Sequence, residues 1–261
     1  MTDDRGLAYN GGTLEGHYEQ RTNDVPYLYD HDRVVRGMVE LKDFRIFSDL
    51  GPKDLNELES KIRKIKYGRG EIIFQEGAPA FGFYLVFEGQ VKLVKRTLGG
   101  KKQILKLVGP GEIVGETTLF DKGVHIAYAK TLNKALVGFI ERGDFFDFLT
   151  RHPPVAFRLF EKLSEELKAF QCKLAERSYN GSKERLARII LKLGESGIEL
   201  SRTELAEMAG VSSKTAIRTL GELEERGVIT VDDRKVTVLD QKSLEAMAEP
   251  FPFRLSDNLI I

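Results

Sequence analysis

LSRTELAEMAGVSSKTAIRTLGELEERGV, residues 200–228, reads as two short helices joined by a tight turn. Ser201 with Glu204 three places on forms a capping box, which satisfies the free N–H groups at a helix start. Leu205, Ala206, Met208 and Ala209 give the first helix an apolar face. Gly210 supplies the left-handed conformation the turn needs, and Val211 plugs the corner. Ser212 caps the second helix, where Ala216, Leu220 and Leu223 fall on one side. That leaves Ser213, Lys214, Ile217 and Arg218 on the other side, in the helix's N-terminal half. A small, partly cationic face at that end suits a recognition helix entering a DNA major groove. An ordinary helical hairpin is the competing reading. Two features weigh against it. The small Ala206 faces Gly210 and Ala216, so the helices can cross closely, and ITVDDRKVTV (229–238) adds two alternating strands about an Asp-Asp-Arg turn, a hairpin wing.

Working outward, a long helix precedes this end. From Pro153 to about Ser178, Ala156, Leu159, Phe160, Leu163, Leu167, Phe170 and Leu174 sustain an i, i+3, i+4, i+7 stripe. Such length exceeds one side of a small barrel, so part of the stripe is expected to meet a second copy; a core helix is the alternative. Asn180–Gly181 breaks the helix and Ser182 can cap the next, a natural hinge. Earlier still, EIIFQEGAP (71–79), FYLVFEGQVKLVKR (83–96), KQILKLVGPG (102–111) and YAKTLNKALVGFI (128–140) alternate apolar and polar residues between glycine turns. Regular short strands of this kind predict an antiparallel barrel or jelly roll. Ahead of them Leu41, Phe44, Phe47, Leu50, Leu55, Leu58 and Ile62 predict helix from Val39 to Ile65. Residues 1–38 show no periodicity and read as an extension, in which Tyr9, Tyr18, Tyr27 and Tyr29 could pack onto the body. The expected division is 1–38 extension, 39–152 β-roll effector domain, 153–180 dimerisation helix and hinge, 181–245 winged helix-turn-helix, and 246–261 tail. The class is α+β.

Composition bounds the function. Lys+Arg and Asp+Glu are both 40 in 261 residues, so no global field draws the chain to nucleic acid. Binding must rest on a local cationic face, and with Glu222, Glu224 and Glu225 close by, phosphate contacts from two subunits are needed for tightness. The single cysteine, Cys172, excludes an internal disulfide framework and a cysteine-ligated iron–sulfur cluster within one chain. It sits beside the apolar stripe, where it is a structural residue or an intersubunit disulfide switch. No apolar run approaches membrane-spanning length and the acidic start is no secretory signal, so a cytoplasmic protein is expected. A nucleophile–base pair, metal-ligand spacing and a Walker-type loop are all lacking, which argues against an enzyme.

A glycine-rich β-roll, a striped helix, a hinge and a winged helix-turn-helix, in that order, resemble the CRP/FNR family of bacterial regulators. The resemblance spans about residues 39–245 and is carried by LKDFRIFSDL (41–50), GEIIFQEG (70–77), FYLVFEGQVKL (83–93), LVGPGEIVGE (107–116) and LAEMAGVSSKTAIR (205–218). It implies a homodimer with an effector-sensing roll and two DNA-reading heads, whose recognition helices enter successive major grooves of an inverted-repeat operator. The implied dimer contacts are Leu159, Leu163, Leu167, Phe170 and Leu174. Double-stranded DNA is the implied partner. RNA polymerase is implied as another, with the Gly194–Glu199 loop, the Thr97–Lys102 hairpin and the extension as candidate faces.

In nucleotide-binding members, the segment matching Gly111–Leu132 is a phosphate cassette. Its glycine–glutamate pair matches Gly115–Glu116, followed here by Thr117. The arginine and serine that the cassette then needs are replaced by His125 and Ile126, and the hydroxyl that meets the purine by Phe170. Each lost charge-assisted bond costs about 1.5–3 kcal/mol, so roughly a hundredfold of cyclic-AMP affinity is forfeited. The effector is therefore expected to be another small molecule, or none, with Phe170 filling the vacant space. Gly115 and Glu116 also have a purely structural reading. His125 reads as a structural or surface histidine, and the rival function is a haem-dependent redox or gas sensor using it as a ligand.

The family's reading helix carries a glutamate that accepts from cytosine and, four residues on, an arginine that reads guanine. Arg218 keeps the arginine; Lys214 replaces the glutamate and can only donate. Ser213 and Ile217 are suited to a hydroxyl contact and a thymine methyl, Arg202 and Thr215 are suited to phosphates, and the capping residues Ser201 and Ser212 are counted in the same DNA-binding set. The base pair facing Lys214 is thus expected to prefer guanine or to go unread. In a randomised-site selection, Lys214→Glu should move the preference at that base pair toward cytosine; an unchanged preference would sink the assignment.

Overall fold

Alternation between residues 63 and 141 resolves into β1 (Arg63–Tyr67), β2 (Ile72–Phe74), β3 (Gly82–Glu88), β4 (Val91–Arg96), β5 (Lys102–Val108), β6 (Ile113–Val114), β7 (Tyr128–Thr131) and β8 (Ala135–Glu141). The computed structural model describes residues 38–248 except Lys122 and Gly197. The tyrosine-bearing extension and most of the tail therefore lie outside the described residues. The strands form two antiparallel sheets, β1-β8-β3-β6 and β2-β7-β4-β5. Side chains of a strand alternate between its faces. On β3, Phe83, Leu85 and Phe87 turn toward the helices, while Tyr84 and Val86 turn into the sandwich with Phe74, Val91, Val108, Val114 and Val137.

The segment before β1 departs from the helix expected over 39–65. It makes two 3-10 turns, Leu41–Asp43 and Arg45–Phe47, and then helix α1 (Pro52–Ser60). Phe44 is extended between the turns, and Gly51 is extended because a residue before proline is pushed out of the helical region. The apolar residues nevertheless stay inside. Phe44 meets Phe87 edge-on at 5.1 Å between ring centres.

Helix α2 (Arg142–Arg151) ends at His152, and α3 (Pro153–Tyr179) follows it. The apolar stripe of α3 divides. Val155, Leu159 and, partly buried, Ala156 and Leu163 pack on Phe44, Phe47 and Phe148 of their own roll. Phe157, Phe160, Leu167, Phe170 and Leu174 are exposed. Leu159 and Leu163 are thus not on an open face as the expected dimer seam required. Leu163 and Phe170, seven residues apart, share one face, so the division runs along the helix: the roll covers that face as far as Leu163 and leaves Phe170 and Leu174 beyond it exposed.

Beyond Asn180–Gly181 come α4 (Ser182–Ser196), α5 (Arg202–Ala209), α6 (Ser213–Glu225), the hairpin β9 (Ile229–Asp232) with β10 (Lys235–Val238), and α7 (Gln241–Met247). The Ser201 hydroxyl accepts from the Glu204 N–H, and the Glu204 carboxylate accepts from the Ser201 N–H at 2.9 Å. Gly210 ends α5 at φ +64°. Leu186, Ile190, Leu205, Ala206, Ala216, Leu220, Leu223 and Leu244 make the core of this head, which runs continuously into Ile104, Leu107, Tyr128 and Leu132 of the roll. Buried Leu244 and the extent of α7 carry the head past residue 245.

Two turn glycines separate backbone strain from crowding. At Gly77 (φ +81°) an added Cβ would meet nothing within 4 Å, whereas at Gly89 (φ +80°) it would lie 2.2 Å from the Lys134 carbonyl oxygen. Gly77→Ala should cost about 1–2 kcal/mol, the left-handed penalty alone. Gly89→Ala adds overpacking of about 1–3 kcal/mol. Urea midpoints of the two variants should rank in that order.

Candidate nucleic-acid interface and effector pocket

The buried side of α6 is fixed by Ala216, Leu220 and Leu223, so its other side faces outward. Ser212 holds the start of the helix by accepting from the Thr215 N–H at 3.1 Å, and its hydroxyl meets that of Thr215 at 2.8 Å. Ser213 and Lys214 are exposed, Ile217 is 53% exposed, and the Arg218 guanidinium lies 3.9 Å from Glu222. These residues form one open face at the N-terminal half of the helix.

Two of the expected DNA-binding residues, Arg202 and Ser201, are already engaged. Arg202 Nη2 donates to Glu224 Oε2 at 3.0 Å, and Glu224 Oε1 accepts from the Val231 N–H at 2.9 Å. One carboxylate thereby clips α5, α6 and the wing together and occupies Arg202. The Ser201 hydroxyl donates to Glu204 at 2.8 Å. At the wing tip Asp233 is left-handed (φ +47°), and Arg234 turns back to Glu204 at 2.7 Å. Lys214 and Arg218 are left as the cations of the open face.

The pocket region brings together Gly115, Glu116 and His125. Gly115, at φ +89°, starts a 3-10 turn, Glu116–Thr118, in which Glu116 is 3% exposed. Lys162 Nζ lies 3.1 Å from Glu116 and Lys106 Nζ 3.9 Å from it. Lys106 also reaches Glu166 at 2.5 Å, and Lys162 donates to the same Glu166 oxygen. Burial pulls the Lys106 pKa down, but Glu116, Glu166 and Glu112 outweigh it and hold the ammonium well above the usual lysine range. Burial pushes Glu166 up, yet Lys106 and Lys162 hold it down to about 2. Burial raises Glu112, which accepts from the Gly109 N–H at 2.7 Å.

His125 is buried rather than on the surface, 4% exposed, with its ring stacked on Phe74 at 3.9 Å between centres. Phe74 stacks in turn on Tyr84 at 5.3 Å. The imidazole covers the glycine turn closely: a Cβ on Gly115 would lie 3.3 Å from His125 Cε1. Burial lowers the His125 pKa. Thr117, Ile126 and Phe170 do not join this group; all three are exposed. Phe170, expected to fill the vacant space, stands apart from this group in its own chain, because it lies further along α3 than the stretch that packs on the roll. The side chains that do meet Glu116 and His125 or their partners, Phe74, Lys106, Lys162 and Glu166, escaped the sequence reading. The one local signal was the i, i+4 pairing of Lys162 with Glu166.

Among the described residues, no group of three or more His, Cys, Asp or Glu side chains is arranged to hold a metal, and no helix is long and apolar enough to cross a membrane.

Residues 64–152 match the cyclic nucleotide-binding domain and residues 184–247 the Crp-like helix-turn-helix domain. The Cyclic AMP receptor protein of Thermus thermophilus is 32% identical over 212 residues, covering 80% of this chain and 98% of the relative. The CRP-like cAMP-activated global transcriptional regulator of Mycobacterium tuberculosis is 25% identical over 214 residues, 78% of this chain and 96% of its own. Among solved structures, the c-di-GMP responsive global regulator CLP of Xanthomonas campestris has a TM-score of 0.66 at 20% identity, covering 72% of this chain and 99% of that one, a likeness of fold. With its roll, long helix and reading head in the same order as these relatives, the chain belongs to the CRP/FNR family of transcription regulators.

Proposed function

We propose that this regulator binds an inverted-repeat operator sequence-specifically as a homodimer, and that it does so without cyclic AMP or another effector. The observation that carries the DNA reading is the open face of α6, where Lys214, Ile217 and Arg218 stand clear of the head's own core. Arg218 suits the O6 and N7 acceptors of a guanine, and Lys214 suits a guanine or a phosphate. The dimer reading is supported by the outer side of α3, which exposes Phe157, Phe160, Leu167 and Phe170. Exposed apolar rows of that length mark a protein contact, and a second α3 is the matching partner by symmetry.

Independence from ligand is supported by the contacts that already engage Glu116 and His125. Two of the relatives carry cyclic AMP in their names. Here the glutamate suited to a ribose is held by Lys162 and Lys106, and the His125 ring lies over the glycine turn suited to a phosphate. A nucleotide would have to displace an internal ion-pair network and an aromatic stack. The same stack argues against haem, since His125 is packed flat on Phe74.

Protein purified without any additive should select an inverted-repeat operator from random DNA, with binding unchanged by added cyclic AMP. Arg218→Ala should weaken each half-site by about 1–3 kcal/mol. Binding that appears only with an added metabolite would overturn ligand independence.

Stability should also follow His125. Its folded pKa lies below the ordinary histidine value, so the unfolded chain takes up the proton more readily. The contribution is full above the ordinary value of about 6.5 and is lost as pH falls through the folded value. Urea midpoints should therefore drop as pH falls below about 6.5 in the parent, and drop less in His125→Phe.

A further inference from the structure

The head does not hang from the hinge alone. Helix α5 lies along β5, and its two ends are anchored differently. Toward its start, Glu204 Oε1 accepts from Lys92 Nζ of β4 at 2.7 Å, and Glu207 stands 3.9 Å from the same ammonium. Lys92 is 8% exposed overall, deep for a lysine. Toward its end, the Met208 carbonyl accepts from Gln103 Nε2 at 3.2 Å, and Gln103 Oε1 accepts from Arg177 Nη2 of α3 at 2.8 Å. Lys92 pairs with Leu107 across the β4–β5 ladder, so α5 runs antiparallel to β5, with one anchor near each end of the contact. Leu205, Ala206 and Met208 share one apolar cluster with Ile104, Leu107 and Leu132.

One anchor would leave a pivot; two fix an angle. The apolar patch resists separation but is non-directional. The hydrogen bonds at its ends are directional, and the one made by Lys92 is charge-assisted and shielded from water. Glu204 is also the point where three parts of the head meet. Its other oxygen accepts from Arg234 of the wing at 2.7 Å and from the Ser201 N–H and hydroxyl at 2.9 and 2.8 Å. A force on Glu204 is therefore passed to the start of α5 and to the wing together.

We propose that Lys92 is a positioning residue for operator reading: by holding Glu204 it locks the head to the β-roll of its own chain and so sets the spacing of half-sites that the dimer accepts. This rests on the homodimer and inverted-repeat reading above. Lys92 touches no DNA in this scheme. Its effect is to make the roll, rather than the break at Asn180–Gly181 alone, determine where the two recognition helices stand.

Lys92→Met is the suitable variant, since it keeps the buried stem and leaves Glu204 partnered by Arg234 and Ser201. Operators with the selected half-sites moved apart or together by about one base pair at a time would be titrated with the full-length parent, Lys92→Met and Lys92→Arg. The parent should discriminate sharply among spacings. Lys92→Met should flatten the ratio of best to displaced operator roughly tenfold, the scale of one charge-assisted hydrogen bond. Lys92→Arg should restore it, and affinity for an isolated half-site should stay at the parent's level. Hydrogen exchange on DNA-free protein gives a second readout, with α5 amides exchanging faster in Lys92→Met than in the parent. An unchanged spacing ratio in a folded Lys92→Met, or equal exchange of α5, would overturn the proposal. A parent that reads half-sites but ignores their arrangement would instead overturn the dimer reading, while the exchange comparison would still judge the anchor.

Discussion

A carboxylate buried as deeply as Glu116 must be met by cations, because an uncompensated buried charge costs several kcal/mol. Lys162 and Lys106 meet it, and two ammonium groups so close then need a second carboxylate, which Glu166 supplies. The network spans the Gly115 turn, β5 and two successive turns of α3. It therefore fixes the rotation of the long helix on the roll. Leu159 and Leu163 then pack inward on the roll, while Leu167 and Phe170, further along the helix, remain outside. The hinge and head follow from where this helix ends.

Features with a local cause were legible in the sequence. The capping box at Ser201–Glu204, the left-handed Gly210 and the Ser212 cap each depend on residues a few places apart, and the structure forms all three. The strands of the roll followed from period-two alternation, and the two-sided burial of β3 explains why FYLVF is apolar almost throughout. Segment 39–65 misled because burial of Phe44 and Phe47 mimics a helical period, although extended Phe44 and the Gly51–Pro52 step forbid one continuous helix. The pocket misled for a different reason. Lys106, Glu116 and Lys162 lie on separate elements, and no local period can announce that they converge.

The same limit applies to charged residues of the head. Arg202 has the composition of a phosphate contact and the position of one, yet Glu224 engages it. Arg234 sits at a wing tip and points inward. Glu204 was readable as a helix cap, but its partnership with Lys92 joins positions 112 residues apart. Charge by itself cannot tell a DNA contact from a brace. In this head Arg202 and Arg234 are braces, while Lys214 and Arg218 stay on the open side of α6.

The outward rows of α3 carry one more consequence. A surface that is sealed only by pairing makes the number of molecules itself a variable of control. Well below the dissociation constant, the paired form rises as the square of the total, so doubling synthesis yields roughly four times as many pairs. For a dimer that needs no effector, as proposed, rates of production and turnover take the place of a metabolite as the quantity to which a promoter responds. Phe157, Phe160, Leu167 and Phe170 would then act as a counting device, converting abundance into a threshold.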